Sequence, residues 1–559
     1  MNGLTIMVFS IVVFYLGYRF YGRWLEKTWG IDEKAPTPAV LHKDSKEFAP
    51  ASRLTCFAHQ FTSITGAGPV TGPIIAAMFG WLPGLLWMII GGIFFGAVQD
   101  FIALYASVKE GGKSIGSIIE QYVGHIGRQL FLLFCWLFTL LVIAAFCDMV
   151  ANTFNGFSKT GEQVMPNAAA ASISMIYMVG AVAFGLYIRY LKPSPKVQLA
   201  VGIVLMVVMV ALGIEFPMYA GAQTWRYVVF AYLFCASVMP LWLLKQPRDY
   251  LSMFLLLGMV AAGVIGVLIE NPTINMPAVT GFTVNNLDMF PILFVTIACG
   301  AVSGFHSLVS SGTTSKMITN ERDMRPVGYG AMLVESTLGV VSLIVVCAAA
   351  TDGHLPSGTP FQLFSNSVAG FLVNIFGIPA NISACILTMC VSALALTSVD
   401  AVARIGRMSL QELFTPSDGS KKTPVQAFFS NTVVATVLTL VCAYMLCLAG
   451  YMSIWPLFGS ANQLLSALVL TGLAVFLQST GRKGWMLYIP MTFMFCVTMT
   501  ALVEAIIKIF GVIAAGKFVF MIHGLQLIIA VALIILALLV VYHCVGRLIS
   551  GSETAKKAA

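Results

Sequence analysis

Residues 59–73 read HQFTSITGAGPVTGP, and the chain continues IIAAMFGWLPGLLWMIIGGIFFGAV. Three glycines (Gly66, Gly68, Gly72) and two prolines (Pro69, Pro73) crowd into eight residues at the edge of a stretch apolar enough for mid-bilayer. A helix broken in lipid leaves backbone N–H and C=O groups that only protein or a water-filled cavity can satisfy. Transporters use such breaks to aim half-helix ends at substrates and ions near the midplane. The bland alternative is a packing face of small residues. The density of breakers, with hydroxyls at Thr62, Ser63, Thr65 and Thr71, favours a discontinuous helix lining a site. Ser63, Thr65, Gly66 and Gly68 are therefore expected to bind substrate.

The rest of the chain places this stretch in a polytopic membrane protein. Of 559 residues, 58% are hydrophobic and 10% charged, against about 25% charged in soluble domains. Fifteen candidate spans lie near 3–22, 54–79, 82–108, 129–151, 170–190, 197–214, 227–244, 250–269, 289–315, 328–350, 380–403, 425–448, 454–478, 485–510 and 520–547. A further apolar piece at 360–377 reads as a half-helix or lid outside the membrane. With the N-terminus outside and the C-terminus inside, all of the 31 Lys and Arg except Lys159, Arg226, Lys508 and Lys517 fall on the cytoplasmic side. The net charge of +8 thus follows topology and points to no nucleic acid. The first apolar run lacks a basic leader and a cleavage site and reads as a retained span. The twelve cysteines are scattered without a CxxC pair, so neither a disulfide framework nor a metal is expected.

The sixth span counted from 54–79 is 227–244, which Ser237 and Pro240 interrupt. Two interrupted spans five helices apart cross in opposite directions, the mark of an inverted repeat. The expected fold is an all-α membrane protein with a 5+5 inverted-repeat (LeuT-like) core. Residues 1–53 form an N-terminal helix and loop, 54–214 repeat one, 227–409 repeat two, and 425–559 a four-helix extension. Ser237 and Pro240 join the expected substrate-binding residues.

The span 289–315 carries Ser303, His306, Ser307, Ser310, Ser311 and Thr314 on one helical face. Such a stripe at membrane depth faces a cavity or another helix. Ser307 is assigned to substrate, and Ser310 and Ser311 are candidate cation ligands by likeness to the fold of sodium–neurotransmitter symporters. Ionisable residues at membrane depth are few, and such groups form ion or proton pathways. The ranking for coupling is His306, Asp100, His59, Glu335. Asp400 and Arg404, four apart, are expected to pair; Arg248 and Asp249 read as a boundary turn at the inner mouth.

HQFTSITGAGPVTGPIIAAMFGW, GGIFFGAVQDF and ASVMPLWLLKQPRDYL resemble the carbon starvation protein A family across most of the chain. The resemblance implies a secondary transporter of the amino acid–polyamine–organocation type in the bacterial inner membrane. It would take up short peptides or a small carboxylate such as pyruvate on nutrient depletion, with H+ or Na+ as coupling ion and no other cofactor. Half-helix N-termini suit a carboxylate. GGKS at 111–114 lacks the upstream glycine of a nucleotide-binding loop, and the seven His form no HExxH, so neither ATP-driven transport nor an enzyme is expected. The competing reading is a nutrient sensor or channel without coupled transport. The sequence carries no signal for oligomeric state.

Overall fold

The computed structural model describes residues 2–42, 48–158, 160–240, 243–416 and 422–558. Lys43, Lys46, Lys159 and Lys421 of the charge distribution, and residues 241 and 242 of the span 227–244, lie outside the described residues.

Among the described residues eleven helices are long and apolar enough to cross a membrane. The other four expected spans are shorter helices or pairs of half-helices: Arg53–Ile64 with Gly68–Ala76, Ala222–Val238, Met289–Thr296 with Gly304–Gly312, and Thr432–Cys447. Polar residues start several helices as sequence chemistry dictates. Thr359 with Gln362 and Thr423 with Gln426 form reciprocal caps, and Gly377 ends Pro360–Phe376 at φ 67°. A two-residue hairpin, Thr283–Val284 against Leu287–Asp288, turns on Asn285 and Asn286 at positive φ.

The centre of the bundle is His125–Thr153 packed along Ala380–Leu413. Thr432–Cys447 packs on the first of these and Met165–Leu191 on the second. Lys245–Glu270 docks on the half-helix Arg53–Ile64, and Tyr451–Ser479 docks on the half-helix Gly304–Gly312. The whole apolar stretch of Tyr451–Ser479 is buried, whereas Pro195–Glu215 and Tyr488–Ala514 leave much of their apolar surface outside the bundle, as lipid-facing helices do.

Thr432–Cys447, Tyr451–Ser479 and Leu525–Ala558 of the stretch 425–559 all pack on His125–Thr153. The interruption at Ser237 and Pro240 is a helix end, not a break facing the first one. Ala222–Val238 stops there, and Arg404 donates to Ala236 O at 2.6 Å and Met239 O at 3.1 Å while Arg407 donates to Ser237 O at 2.8 Å. Two guanidinium groups on the last carbonyls stabilise the negative end of that helix. The second break lies instead at 297–303, between Met289–Thr296 and Gly304–Gly312.

Candidate functional site: two helix breaks and a buried triad

The first break follows from its residues. Thr65 leaves the helix at ψ 88°, and Pro69 in the first turn of Gly68–Ala76 has no N–H to extend the helix backward. Glycine is required by close approach on two sides. A β-carbon on Gly66 would lie 2.6 Å from Ser398 Oγ, and one on Gly68 would lie 2.4 Å from Cys299 Cβ and Sγ. The break therefore touches Ala380–Leu413 on one side and the second break on the other. Ser63 Oγ, Thr65 Oγ1 and Ser398 Oγ are buried and have no hydrogen-bond partner among the described residues.

Side chains from other helices hold the second break. Asn462 Oδ1 accepts from Phe305 N at 3.1 Å and so caps Gly304–Gly312 from outside. Asn462 Nδ2 donates to Ser303 Oγ at 3.0 Å, Gln99 Nε2 to Ser303 O at 2.6 Å, and Trp87 Nε1 to Ile297 O at 3.3 Å. Ser466 donates to Gln99. Two of the freed carbonyls that lipid would leave unmatched, Ile297 O and Ser303 O, are thus satisfied. The other half-helix N-terminus, at Gly68, has no side-chain cap.

Between the breaks lies a small void of about 10 Å³, lined by Gly66, Phe146, Cys299, Ser398, Phe458 and Asn462. It has room for roughly one water. A cavity of about 580 Å³ approaches from the end of the bundle that precedes the break, along Leu54, Thr55 and His59. Another of about 390 Å³ approaches from the opposite end, past Ile75, Met78, Thr296 and Trp455.

Three residues ranked for coupling come together although they lie on separate helices. His306 Nδ1 is 3.0 Å from Asp100 Oδ2, and His306 Nε2 is 3.4 Å from Glu335 Oε2; all three side chains are fully buried. Asp100 Oδ1 and both Glu335 oxygens accept no hydrogen bond among the described residues. Two carboxylates face one imidazole, so the fully ionised triad carries one uncompensated negative charge. In a low dielectric that charge is costly unless a proton joins it. Cys299 lies between this triad and the first break, since its side chain neighbours His306 as well as Gly68.

His59, the fourth, stands elsewhere. It contacts Thr313 Oγ1 at 3.1 Å and Asp249 Oδ2 at 3.5 Å, at the inner wall of the larger cavity. The hydroxyl stripe is real, but protein occupies it. Ser307 Oγ donates back to Gly304 O at 2.6 Å. Ser310 Oγ accepts from Gln60 at 2.8 Å. Ser311 Oγ donates to Ser307 O at 2.8 Å and accepts from Ile115 N at 3.3 Å. None of the three lines the void, because each is turned onto its own helix or a neighbour. Asp400 faces Arg248 at 3.6 Å, and Arg404 acts on it from farther away. Ser398, Cys299, Asn462 and Gln99 were not singled out from sequence. An amide pair, Asn462 and Gln463, inside an apolar span was the available signal.

A sequence model described as carbon starvation protein CstA matches residues 2–357 and 349–501. The chain belongs to this family. It is 31% identical to the peptide transporter CstA of Escherichia coli over 89% of this chain and 80% of that one. It is 34% identical to the pyruvate/proton symporter BtsT of Escherichia coli over 64% of this chain and 51% of that one. Among solved structures it is similar to MhsT in complex with L-phenylalanine, at 11% identity and a TM-score of 0.49 over 88% of this chain and 99% of that one. A manganese transporter of Eremococcus coleocola matches with a TM-score of 0.43 at 11% identity over 91% and 99%. The protein is a multi-pass membrane transporter and not an enzyme.

Proposed function

We propose that this protein is a proton-coupled secondary transporter that imports a small carboxylate, either pyruvate-like or a short peptide, by alternating access. The observation that carries the reading is the uncapped N-terminus of Gly68–Ala76 beside three unpartnered hydroxyls, joined through Cys299 to the Asp100–His306–Glu335 triad. Free N–H groups and the positive end of the half-helix dipole suit a carboxylate. The opposing half-helix is already capped by Asn462, so the substrate carboxylate belongs at Gly66–Gly68, with Ser63, Thr65 and Ser398 donating to it. A carboxylate is what pyruvate and peptides share, and relatives of the family are named for each.

The proton would sit on the triad. One proton brings the cluster to neutrality, and Glu335, which makes no hydrogen bond, is free to carry it. Alternating access would come from two repeats, 53–270 and 289–479, each opening on a broken helix. Within them Ile115–Tyr122 corresponds to Pro360–Phe376, His125–Thr153 to Ala380–Leu413, and Lys245–Glu270 to Tyr451–Ser479. Matching contacts support the assignment: His125–Thr153 packs along Ala380–Leu413, and Ile115–Tyr122 packs on Tyr451–Ser479 as Pro360–Phe376 packs on Lys245–Glu270. Pro195–Glu215 and Ala222–Val238 would then be an insertion in repeat one. The basic loops put the 580 Å³ cavity on the cytoplasmic side, with the N-terminus periplasmic.

The test is uptake into proteoliposomes of labelled pyruvate and of a labelled dipeptide, each under an imposed pH or Na+ gradient. Uptake of either driven by the pH gradient supports the reading. Uptake that follows Na+ after the pH gradient is collapsed refutes proton coupling. Uptake of neither replaces the transporter reading by a sensor.

A further inference from the structure

The 580 Å³ cavity enters between Arg53–Ile64, Met165–Leu191, Pro195–Glu215 and Lys245–Glu270 and meets His59 and Asp249 at its inner wall. The geometry around His59 decides where its protons are. Thr313 Oγ1 donates its only hydrogen to Val309 O at 3.0 Å. Its 3.1 Å contact with His59 Nε2 therefore has the ring N–H as donor. That leaves His59 Nδ1 facing Asp249 Oδ2 at 3.5 Å. Two acceptors repel at that distance, so the pair is stable only with a proton between them, on the imidazole or on the carboxyl. Both Asp249 oxygens are buried and accept no hydrogen bond among the described residues, so nothing else there takes over that role.

The surrounding charges are otherwise engaged. Arg248, next in the chain, faces Asp400 at 3.6 Å and donates to Tyr232. Lys245 and Arg404 surround the same Asp400. Arg53 on the His59 helix pairs with Asp323, and Arg325 pairs with Glu26. Lys316 covers the Phe48 ring. His306 and Glu335, on the remaining helices packed against Arg53–Ile64, hold each other. Among the described residues His59 is the charged group within 4 Å of Asp249, Arg248 and Arg404 act on it from farther away, and Arg189 lines the same cavity. One side of His59 opens to the cavity. The other side touches Thr313, on the face that carries Ser310 and His306 one and two turns back.

We propose that His59 and Asp249 form the release site from which the coupling proton leaves toward the cytoplasm, distinct from the Asp100–His306–Glu335 site that takes it up. The inference rests on the proton-coupled reading above. The proton held between His59 Nδ1 and Asp249 leaves to water in the cavity, and the proton given up by the triad replaces it there. Each group returns to its starting state, and no other reactant is needed.

The test separates net uptake from exchange in proteoliposomes. Exchange of labelled for unlabelled substrate proceeds with the proton retained, whereas net uptake requires its release. Asp249→Asn and His59→Gln are expected to lower pH-gradient-driven net uptake about 100-fold, the scale for loss of a positioned proton-transfer group, while exchange stays close to wild type. A parallel fall of both activities, or loss of monodisperse folded protein in both variants, assigns the pair a structural role and overturns the proposal. Unchanged net uptake in both also overturns it. A wild-type protein whose uptake ignores the pH gradient fails the underlying reading instead, which the unmodified protein reports before any variant is compared.

Discussion

Replacing Glu335 by glutamine removes one negative charge from the triad and little else. Among the described residues neither Glu335 oxygen makes a hydrogen bond, so the amide breaks none, and it still offers an oxygen to His306 Nε2. The remaining His306–Asp100 pair, at 3.0 Å, is neutral as an ion pair and needs no further proton. Removing a buried unmatched charge does not threaten folding. The consequence is a change of stoichiometry from one proton per substrate to none. The magnitude follows from the proton's free energy: one pH unit is 1.36 kcal/mol, or about a tenfold ratio. With the membrane potential clamped at zero and the outside one unit more acidic, one monoanion entering with one proton accumulates to about tenfold. The Glu335→Gln protein is expected to admit substrate only to equal concentrations, at every imposed gradient. The assay is the steady internal-to-external ratio of labelled substrate in proteoliposomes at several pH differences. A variant that still reaches a tenfold ratio per unit refutes the assignment of the proton to Glu335.

Two further substitutions probe the scaffold of the site. Gly66→Ala places a β-carbon 2.6 Å from Ser398 Oγ and is expected to lower stability by about 1–3 kcal/mol. Adding Ser398→Ala leaves only the 3.1 Å contact with its β-carbon and should return most of the loss of thermal midpoint; simple additivity of the two changes would contradict the close approach. Asn462→Ala leaves the buried Phe305 N–H without its acceptor, a cost of about 1–3 kcal/mol. The thermal midpoint and proton-driven uptake should fall together because His306 is the next residue.

The first break was legible because its breakers are local: the chain from Gly66 to Pro73 cannot run as an ordinary helix in lipid. The second was not. Residues 297–303 read IACGAVS, without proline, and their backbone is held open by Asn462, Gln99 and Trp87 from distant helices. Sequence reading chose Ser237 and Pro240 instead, since a proline in an apolar span marks a break or an end equally well. What tells them apart is Arg404 and Arg407, more than 160 positions away. The triad was legible as residues but not as a cluster. Asp100, His306 and Glu335 each stood out as ionisable groups at membrane depth, yet Asp100 and His306 are 206 positions apart, and no local pattern pairs them. The hydroxyl stripe misled in the opposite way. Ser307, Ser310 and Ser311 share a face, but one helix alone does not show that protein donors and acceptors occupy it.

The two centres adjoin one shared segment, 297–306. Ser303 is pinned to Gln99 and Asn462, and Gln99 adjoins Asp100 in the chain. Four residues earlier Cys299 presses on Gly68, and three residues after Ser303 stands His306. A carboxylate bound at the proposed Gly66–Gly68 site would lie beside Cys299, which would link substrate and His306 through one short backbone stretch. If substrate and proton bind cooperatively, linkage makes the effect mutual: substrate affinity rises as the triad is protonated. With one proton taken up on binding, Kd is expected to tighten about tenfold per unit fall in pH. Cys299→Ala removes the sulfur that contacts Gly68 while adding no bulk. It should leave substrate-induced thermal stabilisation measurable and flatten its pH dependence. An undiminished tenfold slope in Cys299→Ala would show that the coupling runs elsewhere, through the rigid contact of Tyr451–Ser479 with both half-helices of the second break, and would move the search to Gln463, whose amide holds Phe294 O at 2.5 Å.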